Sequence, residues 1–167
     1  MLSLLPSAVV LGLAALGAFA STRSRPSPTE RQAERSAASR VLALATLTQS
    51  VHFAEEASTG FHERLGALFG LDAMPFSFFV AFNLAWIGIW VASIPGLRSG
   101  RPTAFFAAWF LAIAGAVNGV AHPLLAVASG GYFPGLVSAI PVGAASLWLG
   151  IRLRGATESR SARTLAL

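Results

Sequence analysis

A histidine and two adjacent glutamates lie inside a long apolar stretch of this sequence, in the segment "QSVHFAEEASTG". His52 precedes Glu55 by three positions and Glu56 by four, a spacing that places the three side chains on one stripe of a helix. An imidazole and two carboxylates on one stripe can bind a divalent cation, or can exchange protons with a substrate as general acid and base. Cysteine is absent from the chain, which excludes thiolate ligands and cysteine nucleophiles.

The composition around this motif indicates a membrane protein. Hydrophobic residues make up 54% of the 167 positions and charged residues only 11%, a balance that does not fit a soluble globular domain. A charged side chain near the bilayer centre costs about 2.5 to 3.5 kcal/mol on insertion scales. The paired glutamates therefore need a bound cation, protonation or polar partners on neighbouring helices to offset that cost.

Five apolar segments approach the roughly 20 residues that cross a bilayer. They lie at about 2–20, 41–59, 76–97, 103–127 and 133–151, and they predict an all-α integral membrane bundle of five transmembrane helices. The predicted divisions of the chain are a first span at 1–20, an Arg-rich cytoplasmic linker at 21–40, a four-helix membrane domain at 41–151 and a basic flexible tail at 152–167.

The arginines predict how these spans are oriented. Arginine supplies all twelve basic residues, and in the five-span arrangement only Arg64 lies on the side opposite to the others. The positive-inside rule makes the arginine-rich side cytoplasmic, with the N-terminus outside and the C-terminus inside. Because the arginines flank apolar runs, we expect contacts with lipid headgroups and no nucleic acid partner. The arginine-only, alanine-rich composition suggests a bacterial cytoplasmic membrane.

Two segments allow more than one interpretation. "LGAFA" before "STR" resembles a signal-peptide cleavage site, but no positive charge precedes the apolar run, and we favour an uncleaved first span. After the second span, Phe61, Leu65 and Leu68 recur at helical spacing. They predict either an amphipathic helix near 61–71 in the outer interface or a continuation of the span. We assign His62 and Glu63 to that solvated interface.

Polar residues in other spans reach the depth of the histidine and glutamates. At about 1.5 Å per residue, His52 lies roughly 17 Å from the cytoplasmic end of its span and His122 roughly 28 Å from the same side. The supporting polar residues predicted for the site are Thr48, Gln49, Asn83 and Asn118. Asn83 has an alternative role in bonding helices together, and His122 has an alternative role as an interfacial histidine.

The segment "HFAEE" at 52–56 resembles the motif that names the HXXEE-domain family of small bacterial membrane proteins. The later segments "NGVAH", "YFPG" and "AIPVG" resemble that family's pattern in the same order. The resemblance covers about residues 41–150, and Ala57 stands where the family often has an aromatic residue. It implies a membrane helical domain and no particular activity, because the family has no settled biochemical function.

We expect an intramembrane metal site in the outer half of the bilayer, in an enzyme acting on a lipid-like or hydrophobic substrate. The predicted ligands of Zn, Fe or Mn are His52, Glu55, Glu56 and His122, and the two glutamates are also the candidate catalytic residues. Two alternatives stay open: a metal-free acid/base isomerase or cyclase, and a proton- or cation-coupled transporter or binding protein. The expected partners are the bilayer, the hydrophobic substrate and further copies of the chain in a homo-oligomer.

Overall fold

A computed structural model describes residues 5–22 and 31–157 of the chain. The helices are α1 (Leu5–Thr22), α2 (Gln32–Thr59), α3 (Phe61–Leu68), α4 (Phe76–Arg98), α5 (Pro102–Ala128) and α6 (Leu136–Thr157). The described ranges contain no strand, so the predicted all-α fold is confirmed.

Three helices in the described ranges are long and apolar enough to cross a membrane, namely α4, α5 and α6. The shorter apolar helix Ser7–Thr22 corresponds to the first predicted span. The second predicted span lies in α2, which has 28 residues, but its charged and polar side chains keep its hydropathy below that of the other three. These helices are consistent with a multi-pass membrane protein.

Helices α2, α4, α5 and α6 form one bundle. Helix α6 packs against α5 and α2, helix α4 packs against the same two helices, and α1 packs against α5. The indole Nε1 of Trp90 donates a 3.0 Å hydrogen bond to the carbonyl of Ala107, which ties α4 to α5. Large apolar side chains point outward from every helix of the bundle, as expected for lipid contact, for example Leu47, Leu84, Val120, Val137 and Ile151.

The backbones of α5 and α6 approach each other closely. A Cβ atom added to Gly119 would lie 2.8 Å from the Cα of Gly143, and one added to Gly115 would collide with Ser146. Small residues at such crossings allow close van der Waals packing between helices in a membrane. Because the two helices run antiparallel, this contact brings the end of α5 beside the start of α6.

The helix ends differ from the predicted segment boundaries at both polar flanks. Helix α2 begins at Gln32, inside the predicted 21–40 linker, and α6 continues to Thr157, inside the predicted tail. Hydropathy locates the part of a helix that suits lipid, whereas alanine, glutamate and arginine continue the helix beyond it. Residues 1–4, 23–30 and 158–167 lie outside the described ranges.

Arginines gather at the end of the bundle where α2 begins and α6 ends. Arg31 donates to the carbonyl of Gly155, and Nε of Arg98 donates to Oγ of Ser39 at 3.0 Å. Arg64 lies at the opposite end, where it donates to the carbonyl of Tyr132 at 3.1 Å. The fold therefore separates these arginines along the bundle axis in the way the sequence predicts.

The segment predicted to form an amphipathic helix is α3, a helix distinct from α2. Gly60 has a φ of 79° and ends α2 in the left-handed conformation, which favours glycine. Leu65 is buried in a small cluster with Phe133, while Glu63 and Arg64 are exposed. The helix therefore has the two faces that its sequence predicts.

Candidate metal centre

Two histidines and one glutamate meet in the interior of the bundle. Helix α2 supplies His52 and Glu56, one turn apart, and α5 supplies His122. Oε1 of Glu56 lies 3.5 Å from Nε2 of His52 and 3.4 Å from Nε2 of His122. One ligand atom from each residue lies within 4.8 Å of the other two, and all three residues are buried.

These distances suit a metal ion. Ligand atoms about 2.1 Å from a tetrahedral ion lie roughly 3.4 Å from one another, close to the two measured N···O separations. Nε2 of His52 is buried and makes no hydrogen bond. A buried polar atom without a partner marks a place where a proton, water or ion belongs.

The other ring nitrogen of each histidine is bound by the segment that begins α6. Nδ1 of His122 donates to the carbonyl of Pro134 at 2.7 Å. A carbonyl only accepts, so Nδ1 carries a proton and Nε2 is the ring nitrogen that could bind a metal ion. Nδ1 of His52 lies 2.9 Å from Oγ of Ser138. Both imidazoles therefore have Nδ1 engaged and Nε2 directed towards Glu56.

Gly135 leaves room for both rings. It has a φ of +86°, and a Cβ atom there would lie 2.7 Å from Cε1 of His122 and 2.8 Å from Cε1 of His52. The two rings meet edge to face with their centroids 4.7 Å apart. A side chain at position 135 would push the imidazoles away from their present positions.

Glu55 lies outside this group and binds the start of α6 instead. Its Oε1 accepts from the hydroxyl of Tyr132 at 2.7 Å and from the N–H of Val137 at 3.1 Å. Its Oε2 accepts from the N–H of Ser138 at 2.8 Å and also from that residue's hydroxyl. A carboxylate bound to the first N–H groups of a helix satisfies donors that have no partner within the helix.

The structure thus separates the two glutamates that the sequence groups together. Successive residues of a helix point about 100° apart, and here Glu56 faces the histidines while Glu55 faces α6. Partial burial, together with the bond to Glu55, raises the pKa of Tyr132 above its ordinary value, so the phenol donates at neutral pH. The contacts of Glu55 give it a structural role, and they do not support the ligand role predicted for it.

The other predicted polar residues have separate positions. Thr48 and Asn83 each donate to a carbonyl of their own helix. Gln49 is buried on α2 one turn before His52, and Asn118 is half-buried one turn before His122.

Aromatic rings pack against His122. The ring centroids of Phe61 and Phe133 lie 5.6 and 6.0 Å from that of His122. His62 lies 3.5 Å from Glu63 and packs on Phe76, and its side chain is only 16% exposed with Nδ1 buried, which is less solvent contact than its predicted interfacial place implies. The His122 side of the group is therefore lined by apolar rings, which strengthens charge interactions there.

Sequence reasoning assigned no site role to the residues that contact the histidines from the connection between α5 and α6 and from the first turn of α6. They are Pro134, Gly135 and Ser138, and the first two lie in the "YFPG" segment quoted above. A proline and glycine directly before an apolar helix, with a serine in its first turn, are ordinary signals of a helix start. They indicate where α6 begins, but they do not indicate that the start of the helix faces two histidines.

Comparison with family models, with curated proteins and with solved structures found no match to this chain. The resemblance to the HXXEE-domain family therefore stays a prediction from the quoted motifs.

Proposed function

We propose that this chain is a multi-pass bacterial membrane protein in which His52, Glu56 and His122 bind one divalent metal ion. The ion lies at the centre of an enzyme acting on a lipid-like or hydrophobic substrate. The observation that carries the proposal is the convergence of three buried ligand atoms within 4.8 Å. A buried carboxylate beside two imidazoles needs positive charge, and a divalent ion supplies it.

The three ligands indicate which metal ions the site would bind and whether the site would be catalytic or structural. Two imidazoles and one carboxylate suit Zn, Fe or Mn. Three protein ligands leave a coordination position for water or substrate, which is typical of catalytic centres, whereas structural zinc sites have four protein ligands. When bound, such an ion acts as a Lewis acid and lowers the pKa of its water. The protein holds the ligands and excludes bulk water.

The proposed topology has five spans, with α1 and α2 added to the three most apolar helices. The arginine-rich end faces the cytoplasm, and the metal centre lies towards the outer end of the bundle. The separation of Arg31 and Arg98 from Arg64 along the axis supports this orientation. A hydrophobic substrate would then reach the centre from the bilayer, between helices.

Metal analysis of the full chain, purified in detergent without chelators and without oxygen, tests this proposal. We expect wild-type protein to hold one metal ion, and His52→Ala, Glu56→Gln and His122→Ala to weaken its binding at least about 100-fold, because each removes a ligand. Asn83→Ala is the matched control, since this amide bonds within its own helix. Wild-type protein without metal would reject the proposal and leave acid/base catalysis or transport by the same residues.

A further inference from the structure

A line of hydrogen bonds runs from half-exposed Glu55 to the centre of the site. Oε2 of Glu55 accepts from the hydroxyl of Ser138, and Oγ of Ser138 lies 2.9 Å from Nδ1 of His52. Ser138 and His52 are both buried. The line therefore ends at Nδ1 of His52, whereas the nitrogen proposed to bind metal is Nε2 of the same ring.

The direction of the protons along this line follows from what each group can donate. The carboxylate of Glu55 receives two backbone N–H groups and a phenol as well as the serine hydroxyl, and these donors stabilise its ionised, acceptor-only form. The Ser138 hydroxyl must then donate to Glu55, which leaves its oxygen to accept from Nδ1–H of His52. The opposite direction would place two acceptors, Oε2 and Oγ, against each other.

We propose that Glu55 and Ser138 are positioning residues that fix the tautomer of His52. With its proton on Nδ1, the ring presents the lone pair of Nε2 towards Oε1 of Glu56, 3.5 Å away, so a metal ion or, in metal-free protein, a proton must lie between these two acceptors. Without the Ser138 oxygen to accept from Nδ1, the proton moves to Nε2, where Glu56 accepts it and a metal ion must displace it to bind. His122 receives the same control from the carbonyl of Pro134. This inference rests on the proposed metal site and assigns the residues that prepare it.

Ser138, His52 and Glu56 also have the residue types of a nucleophilic triad. In such a triad the serine hydroxyl donates to the histidine. Here Glu55 takes that proton, and the histidine donates to the serine oxygen. The geometry therefore assigns Ser138 to orienting His52.

The tautomer can be measured directly in metal-free protein. In full-length chain labelled with ¹⁵N histidine in detergent micelles, the ring nitrogen shifts report which nitrogen carries the proton. We expect a proton on Nδ1 of His52 in wild type and in Ser138→Thr, which keeps the hydroxyl, and a proton on Nε2 alone in Ser138→Ala. A ring protonated on Nε2 alone in wild type, or a proton retained on Nδ1 in Ser138→Ala, would overturn the inference.

Zn²⁺ affinity, measured by competition with a chromophoric chelator, provides the second readout. We expect Ser138→Ala and Glu55→Gln to weaken Zn²⁺ binding about 10- to 100-fold, and Ser138→Thr to restore it. Tyr132→Phe is the matched control for Glu55→Gln, because it removes a bond to the same carboxylate and leaves the serine in place. Equal losses in these two variants would contradict a tautomer effect.

The two readouts separate the inference from the proposed function. The predicted tautomers without any Zn²⁺ binding would reject the metal site and leave the positioning role standing. Zn²⁺ binding that depends on His52 but not on Ser138 would reject the positioning role and leave the metal site standing.

Discussion

At the residue scale, both nitrogens of each histidine have defined neighbours. Nδ1 of His52 faces Ser138 and Nδ1 of His122 faces the carbonyl of Pro134, while both Nε2 atoms face Glu56. Imidazoles held at Nδ1 lose little further freedom when an ion binds Nε2, and such preorganisation raises affinity. Gly135 leaves the space in which both rings lie. This space is therefore as important for metal binding as the ligands themselves.

Gly135→Ala tests that space. We expect it to lower the free energy of unfolding by about 1 to 2 kcal/mol from left-handed backbone strain and by about 1 to 3 kcal/mol more from contact with the two imidazoles. Zn²⁺ binding should weaken in parallel. Thermal unfolding in detergent and chelator competition measure the two effects.

Gly130→Ala is the control for the backbone term. Gly130 has a φ of +73° with no atom within 4 Å of an added Cβ. The Gly130→Ala protein should therefore lose free energy of unfolding from backbone strain alone and keep the wild-type affinity for Zn²⁺. If both variants lost metal equally, contact with the rings would not be the cause.

At the element scale, the start of α6 binds the other helices that carry the site. Glu55 of α2 accepts from its first N–H groups, and the turn before it bonds to His122 of α5. The close approach of α5 and α6 at Gly119 and Gly143 sets the distance between these helices. Spacing between helices should therefore control the geometry of the centre.

Gly143→Ala tests this spacing. An added Cβ would lie 2.9 Å from the Cα of Gly119, and we expect a loss of about 1 to 3 kcal/mol in the free energy of unfolding. Gly88→Ala in α4 is the matched control, because no atom lies within 4 Å of its added Cβ. Alanine should stabilise that helix by up to about 1 kcal/mol. Thermal unfolding followed by circular dichroism measures both, and a Gly143→Ala protein as stable as wild type would contradict close packing.

The elements also show what the sequence could predict. The apolar runs identified α4 and α5 to within a residue at each end, because a lipid-crossing helix is apolar on every side. The polar start of α2 and the polar end of α6 were predicted less well, because hydropathy does not mark where a helix ends in water. The free-energy cost of polar side chains inside a membrane led to the prediction that His52, Glu56 and His122 are site residues. Ser138 was not, since a serine near a helix start is common for local reasons.

At the scale of the whole molecule, charge is distributed along the bundle axis. The described arginines at the α2 start and at the α4 and α6 ends lie at one end, and Arg64 lies at the other. Positive charge is retained on the cytoplasmic side during membrane insertion. The proposed orientation follows from this distribution.

Single cysteines can test the orientation without removing any native thiol, because the chain has none. Ser99 and Ser129 are exposed and lie after α4 and α5, at opposite ends of the bundle. In intact bacterial cells whose outer membrane has been permeabilised, we expect an impermeant maleimide to label Ser129→Cys and to spare Ser99→Cys. Opening the inner membrane should then expose Ser99→Cys. The reverse pattern would invert the topology, and labelling of both in intact cells would contradict a membrane-spanning bundle.

The connection between α5 and α6 has a consequence for how the protein is made. All three proposed ligands are synthesised by residue 122, whereas the carbonyl and the hydroxyl that orient the two imidazoles belong to residues 134 and 138. A nascent chain therefore carries its ligands before it carries the groups that orient them. Metal loading in this geometry must wait until α6 has left the ribosome and packed against α2 and α5.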